Sequence, residues 1–422
     1  MRLYTRGFWT FWPFSPKNAS MTPPMSSGPV LVVQLARFGD LIQTRRLIRS
    51  LLAESPVHLL VDGGLTELAR LLYPEVTVHG IPAHANGAGD VWARIRRDVD
   101  ALARTDFRRV YNLNFSGLSF ALAALFDPET VRGYRFRAGQ RLVDFWPSQL
   151  MRWSARRAEA GINLVDAWGL YAPAPLSPAA VNPAAVARGG GLGVVMSGQN
   201  ARRSLPPEIL APIVRAARNR TNGPVHLFGT ARDRRAAREL ASLLPQSLRR
   251  EVHDLTGGTD WPGLLEAVRG LDLLLSPDTG TAHLAAYLGV PVLGFFLSSA
   301  WCHETGPYGA GHLAVQAVCG CAPCLETRPC PANLMCRASL THPVVLRFIS
   351  GRGGAELPEH VAVMSSGFDR LGLVYTPVAG EDPFASRRAE FRALASGLAG
   401  LGGGETGAVQ EWMREKDWML PR

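Results

Sequence analysis

Short continuous apolar runs alternate along the chain with longer stretches of helical spacing, and the rhythm begins at Pro29. Val30–Leu35 (VLVVQL) is too short for a core helix and does not alternate. It therefore predicts a strand buried on both faces, as in a parallel sheet. Beyond it Leu41, Ile42, Leu47, Ile48, Leu51 and Leu52 share one helical face, which predicts a helix from Asp40 to Ala53. Further strands are expected at Val57–Val61, Val76–His79 and Val110–Leu113, with helices between them. The Pro-, Ala- and Gly-rich stretch from Ala172 to Gly191 loses periodicity and reads as a linker. The alternation then restarts with strands at Gly193–Met196, Val225–Phe228, Val252–Leu255 and Leu271–Leu275. Helices are expected at Pro206–Ala217, Arg232–Leu244 and Trp261–Val268.

Two successive βαβ series predict an α/β protein with two Rossmann-like, doubly wound parallel-sheet domains facing a cleft. The boundaries are 29–175 for the first domain, 176–191 for the linker and 192–345 for the second. After residue 345 the pattern weakens. A strand signal at Val361–Met364, helical spacing over Ser386–Leu398 and a Gly-rich run at 400–404 make 346–422 a partly ordered C-terminal extension.

Composition narrows the partners. With 422 residues, 47% hydrophobic and 19% charged, the chain suits a globular protein with proper cores, and it has no apolar stretch of membrane-spanning length. Its net charge of +10 suggests an anionic partner. Yet Lys17 and Lys416 are the only lysines, so the arginine excess reflects a codon bias as much as a binding surface. No basic helix with interleaved aromatics is present, so phosphate-bearing small molecules or an anionic membrane surface fit better than nucleic acid. Residues 1–28 carry Trp9, Trp12 and other aromatics but no signal-peptide core, and read as a disordered or weakly membrane-associated tail.

The chemistry concentrates in Leu271–Phe296, LDLLLSPDTGTAHLAAYLGVPVLGFF. It reads as strand, polar turn, helix and strand. A turn that opens a helix at the carboxyl end of a parallel strand presents free N–H groups and a positive helix end to an anion. Thr279 and Thr281 add hydroxyls, Gly280 permits close approach of a phosphate, and His283 lies one turn on. An ordinary capped helix fits the same pattern.

These residues resemble glycosyltransferase family 9, the bacterial ADP-heptose:lipopolysaccharide heptosyltransferases of GT-B fold. Three stretches carry the resemblance over residues 29–345. VLVVQLARFGD (Val30–Asp40) looks like the family's first strand and Gly-Asp loop. SPDTGTAHLAAYLGVPVLGFF looks like its donor motif, and Thr305-Gly306-Pro307-Tyr308-Gly309 is similar to a downstream segment. The resemblance implies that Asp40 is the base that deprotonates the acceptor, with Gly39 and Arg37 on the acceptor side. It implies donor contacts from Asp278, Thr279, Gly280, Thr281 and His283, with Arg203 in place of a family lysine. Asp233 is the candidate for the family's acidic ribose ligand, although Gly229-Thr230-Ala231-Arg232-Asp233 departs from the usual pattern.

Five cysteines, Cys319, Cys321, Cys324, Cys330 and Cys336, fall in a C-x-C-x2-C-x5-C-x5-C run. The cluster suggests a structural zinc or iron–sulfur site, and reduced or disulfide-linked cysteines fit it too. No metal or cofactor is expected in catalysis. The resulting expectation is an inverting, metal-independent glycosyltransferase of the bacterial cytoplasm, peripheral to the inner membrane. It would move heptose from ADP-heptose onto a lipopolysaccharide-core or related lipid-linked glycan. The same fold with a UDP- or GDP-sugar, or a non-catalytic nucleotide-sugar-binding or assembly protein, is the alternative. An oxidoreductase is disfavoured because G-x-G-x-x-G is missing after the first strand.

Overall fold

A computed structural model describes residues 28–84, 95, 98–100, 102–198, 201–324, 326, 328–354, 356–401 and 412. The tail before residue 28 and most of the Gly-rich run lie outside them. Among the described residues no helix is long and apolar enough to cross a membrane.

The first sheet runs β3-β2-β1-β4-β5-β6. Its strands are β1 Val30–Gln34, β2 Val57–Asp62, β3 Thr77–Ile81, β4 Arg109–Asn112, β5 Val131–Arg137 and β6 Gln140–Val143. The first five pair in parallel, and β6 closes the edge antiparallel to β5. All five residues of β1 are buried, as a central parallel strand covered on both faces must be.

The second sheet runs β14-β13-β12-β11-β10-β7-β8-β9. Here β7 is Leu192–Val195, β8 Val225–Phe228, β9 Val252–Asp254, β10 Leu273–Pro277, β11 Val292–Phe296, β12 Leu313–Ala317, β13 Val361–Phe368 and β14 Leu373–Ala379. From β9 to β12 the pairs are parallel in a doubly wound order, and β13 and β14 continue the sheet as an antiparallel ribbon. The segment expected as an extension thus supplies two sheet strands and the Ala385–Leu398 helix. Its signal is weak because β14 leaves three residues in a row, Thr376, Pro377 and Val378, exposed, and so lacks the apolar run that marks the parallel strands.

The chain forms two compact units, residues 1–37 with 48–151 and residues 38–47 with 152–422. The domain boundary expected at residue 175 therefore differs in two places. The Asp40 segment and residues 152–175 pack with the second sheet rather than the first. The expected Asp40–Ala53 helix is two helices, Phe38–Gln43 and Arg45–Leu52. They part at Thr44, whose Oγ1 donates to the Asp40 carbonyl at 2.8 Å, a side-chain bond that competes with the helical ladder. The linker is tied down as well: Val181 is fully buried, and the Val186 and Arg188 amides donate to the Gly289 and Leu271 carbonyls.

Candidate active site

In an open α/β sheet the strand order reverses at a switch point, and ligands bind beyond the carboxyl ends of the strands there. In the second sheet that point lies between β7 and β10. The turn after β10 carries Asp278 and Thr279, and the loop after β7 leads to Arg203. The donor residues read from the sequence therefore occupy the position the topology favours.

The turn opens the Gly280–Tyr287 helix, with Thr279 as N-cap. Thr279 Oγ1 accepts from the Ala282 amide at 3.4 Å and bonds Ser276 Oγ at 2.9 Å. That hydroxyl is committed to the cap, so the anion-binding capacity of the turn rests on its backbone N–H groups and the half-buried Thr281. Gly280 has a reason to be glycine beyond the expected approach of a phosphate. A Cβ built on it would lie 2.1 Å from Cδ1 of the Phe38 ring. An aromatic side chain of the Asp40 segment makes this close approach, and Trp261 packs against the same ring with centroids 5.1 Å apart.

Asp278 is buried and multiply held. It accepts from Arg203 Nη2 and from Thr305 Oγ1 (3.0 Å), and its other oxygen lies 3.8 Å from His283 Nε2. Burial, the largest influence, pushes the His283 pKa down, opposed by Asp278 and Asp40 and reinforced by Arg203. His283 is therefore neutral at pH 7 and offers a ring N–H without a fixed charge. Asp40 sits half-buried in the first turn of its helix, one residue from Gly39. A Cβ on Gly39 would stand 3.0 Å from the His283 ring and 3.5 Å from the Gly280 Cα. The candidate base and the donor turn are thus in one compact unit, with the Asp40 charge felt at His283. Arg37 is exposed at the end of the first unit.

Asp233 is fully engaged: it accepts from Ser197 Oγ (2.7 Å), the Thr230 amide (2.7 Å) and Thr230 Oγ1 (2.9 Å). It caps its own turn and staples it to the end of β7. Three residues around the donor turn escaped the sequence reading. Glu304, whose acid pKa burial pushes up, pairs with Arg157 at 3.1 Å and lies within electrostatic reach of Asp278 and Arg203. Thr305 holds Asp278. Glu326 accepts from Ser299 at 2.8 Å and stands 3.9 Å from Arg203 Nε. Only Thr305 carried any signal, as the first residue of the downstream family segment.

The six cysteines are all free thiols. Cys319, Cys321, Cys324, Cys330 and Cys336 line one cavity of about 20 Å³, together with Ser298 and Arg202. Ser298 and Leu334 on its wall take left-handed backbone, at φ of 61° and 59°. Thiolates are the right donor type for zinc or an iron–sulfur cluster. Among the described residues, however, no three His, Cys, Asp or Glu side chains are arranged to hold one ion. The cysteine segment touches the donor side instead, where Arg202 donates to the Arg328 carbonyl and Glu326 faces Arg203.

Comparison with known proteins agrees with this architecture. The family described as glycosyltransferase family 9 (heptosyltransferase) matches residues 213–334. A glycosyltransferase family 9 structure from Veillonella parvula DSM 2008 is similar at 15% identity and TM-score 0.53, over 69% of this chain and 86% of that one. The Escherichia coli heptosyltransferase WaaC with ADP is similar at 15% identity and TM-score 0.52, over 68% and 93%. No curated protein matches the chain by sequence. The solved structures share the two-sheet GT-B plan with this chain. The family resemblance itself is to glycosyltransferase family 9 and falls on residues 213–334, within the second sheet's unit.

Proposed function

We propose that the protein transfers a sugar with inversion from a nucleoside diphosphate donor, ADP-heptose, to a hydroxyl of a lipopolysaccharide-core or related lipid-linked glycan. The observation that carries this reading is the proximity of Asp40 to His283 at the mouth of the Gly280–Tyr287 helix. In the proposed step the Asp40 carboxylate takes the proton of the acceptor hydroxyl. The acceptor oxygen attacks the anomeric carbon, and the bond from that carbon to the diphosphate breaks. The charge that grows on the diphosphate meets the helix N–H groups, the neutral His283 and the Arg203 guanidinium. Asp278 holds Arg203 until the donor arrives, and with Glu304 offers acceptors for sugar hydroxyls. Gly39 and Arg37 are proposed on the acceptor side, and any metal at the cysteine cavity is proposed to be structural.

The membrane-peripheral, cytoplasmic setting follows from a lipid-linked acceptor and belongs to the same proposal. The test is transfer from ADP-heptose to heptose-free lipopolysaccharide by wild type and Asp40→Asn, with ADP affinity measured alongside. Loss of transfer with ADP affinity kept within about twofold supports the base assignment, and retained transfer refutes it. The second reading of the donor is a UDP- or GDP-sugar on the same fold. Stabilisation by ADP, UDP or GDP in a thermal-shift panel separates them.

A further inference from the structure

The Asp40 segment leaves β1 as part of the first unit and yet packs as part of the second. Three contacts hold it there. At its start Phe38 lies on Gly280 and Trp261. At its end Arg46 is almost fully buried and donates to Asp166 Oδ1 at 2.6 Å, to the Leu176 carbonyl at 2.9 Å and to the Leu371 carbonyl at 3.4 Å. Asp166 is itself closed off by Tyr308 Oη at 2.5 Å and the Leu373 amide at 2.7 Å. Between the two, Arg45 donates to the carbonyl of Tyr287 at 3.1 Å and lies 3.7 Å from the centre of its ring. Tyr287 is the last residue of the donor helix.

We infer that Arg45 is a positioning residue: by gripping the carboxyl end of the donor helix at Tyr287, it fixes the Asp40 carboxylate against the other end of that helix. This rests on the reading of Asp40 as the base. Two short helices side by side are free to slide unless pinned at both ends. Gly39 against His283 pins one end and Arg45 on Tyr287 the other. The contact suits its place, because a cation at a helix carboxyl terminus meets the negative end of the dipole, and a guanidinium stacks on an aromatic face. Arg46 is a different device. It neutralises a buried carboxylate, so its loss threatens the fold of the whole unit. Arg45 is half-buried, and its loss leaves the Arg46–Asp166 pair in place.

Four proteins test the inference: full-length wild type, Arg45→Ala, Arg45→Lys and Asp40→Asn. Two readouts are taken, hydrogen exchange of the peptide spanning 38–44 and the kinetics of transfer from ADP-heptose with ADP affinity alongside. For Arg45→Ala, exchange over 38–44 should rise about tenfold while β10 and β11 are unchanged. Its kcat should fall by about 10- to 100-fold, as expected for a misplaced base, with ADP affinity within about twofold. Arg45→Lys keeps the cation over the ring and should recover most of both. Unchanged exchange over 38–44 in Arg45→Ala overturns the inference, as does an equal loss of ADP affinity and kcat. If Asp40→Asn still transfers, the base assignment fails separately, and the exchange result still decides whether Arg45 holds the segment.

Discussion

Gly280→Ala sets two physical rules against each other at one position. Alanine is the better helix former by about 1 kcal/mol, so propensity alone predicts a more stable protein. The geometry predicts the reverse. The added methyl would lie 2.1, 2.6 and 2.7 Å from three atoms of the Phe38 ring. Ordinary carbon contacts are about 3.5 Å or more, so ring and helix must part by more than 1 Å. Trp261 packs against the same ring, so a shift of Phe38 disturbs that contact as well. Overpacking of this kind costs about 1–3 kcal/mol, which exceeds the propensity gain over most of its range. Urea unfolding of Gly280→Ala should therefore show a net loss of about 1–2 kcal/mol, and transfer should weaken because Phe38 precedes Asp40 by two residues. Adding Phe38→Ala to Gly280→Ala should recover stability relative to the sum of the two single changes. A stabilised Gly280→Ala protein, or strictly additive single changes, would show that the ring does not occupy this space.

Other outcomes follow from groups described above or from the second core. Asp166→Asn, which leaves Arg46 buried without its countercharge, should cost about 3–5 kcal/mol in denaturant unfolding. Burial pushes the His312 pKa down to about 4, and its Nδ1 accepts from the Val292 amide. The unfolded chain, with an ordinary imidazole, binds more protons between those values. Stability should thus be complete above about pH 6.5 and fall as pH drops toward 4, and His312→Gln should flatten that slope in pH-dependent unfolding. In an iodoacetamide time course read by mass spectrometry, Cys330 should react first, since amides of Leu334 and Ala332 stabilise its thiolate. Burial raises the thiol pKa of Cys302, Cys319 and Cys336, so Cys302, wholly enclosed, should react last.

The parallel strands were legible because burial on both faces leaves a continuous apolar signature, as in β1, β7, β10 and β11. Strands β5, β6, β12 and β14 escaped. The first two are interrupted by arginines, β12 by the buried polar Gln316, and β14 by the exposed Thr376 and Pro377. The donor turn was visible through its local sequence, since a strand, a capped turn and a helix follow one another without a break. Glu304, Glu326 and Arg157 were not, because they converge through tertiary contacts that no spacing records. The same holds for residues 38–47. Their periodicity announces a helix but is silent on which sheet receives it; long-range contacts decide that, such as the Arg46–Asp166 pair, 120 positions apart.

The three crossings of the chain between its two units have a bearing on protein engineering. A fragment begun at residue 152 would omit Arg46, leaving Asp166 and Tyr308 facing an empty socket, and would strip Phe38 from Gly280. A soluble donor-binding piece would need residues 38–47 grafted back by circular permutation or a tether. Conversely, a chimera that swaps the first sheet for another scaffold should keep those ten residues with the recipient, so that the proposed base and the turn after β10 stay together.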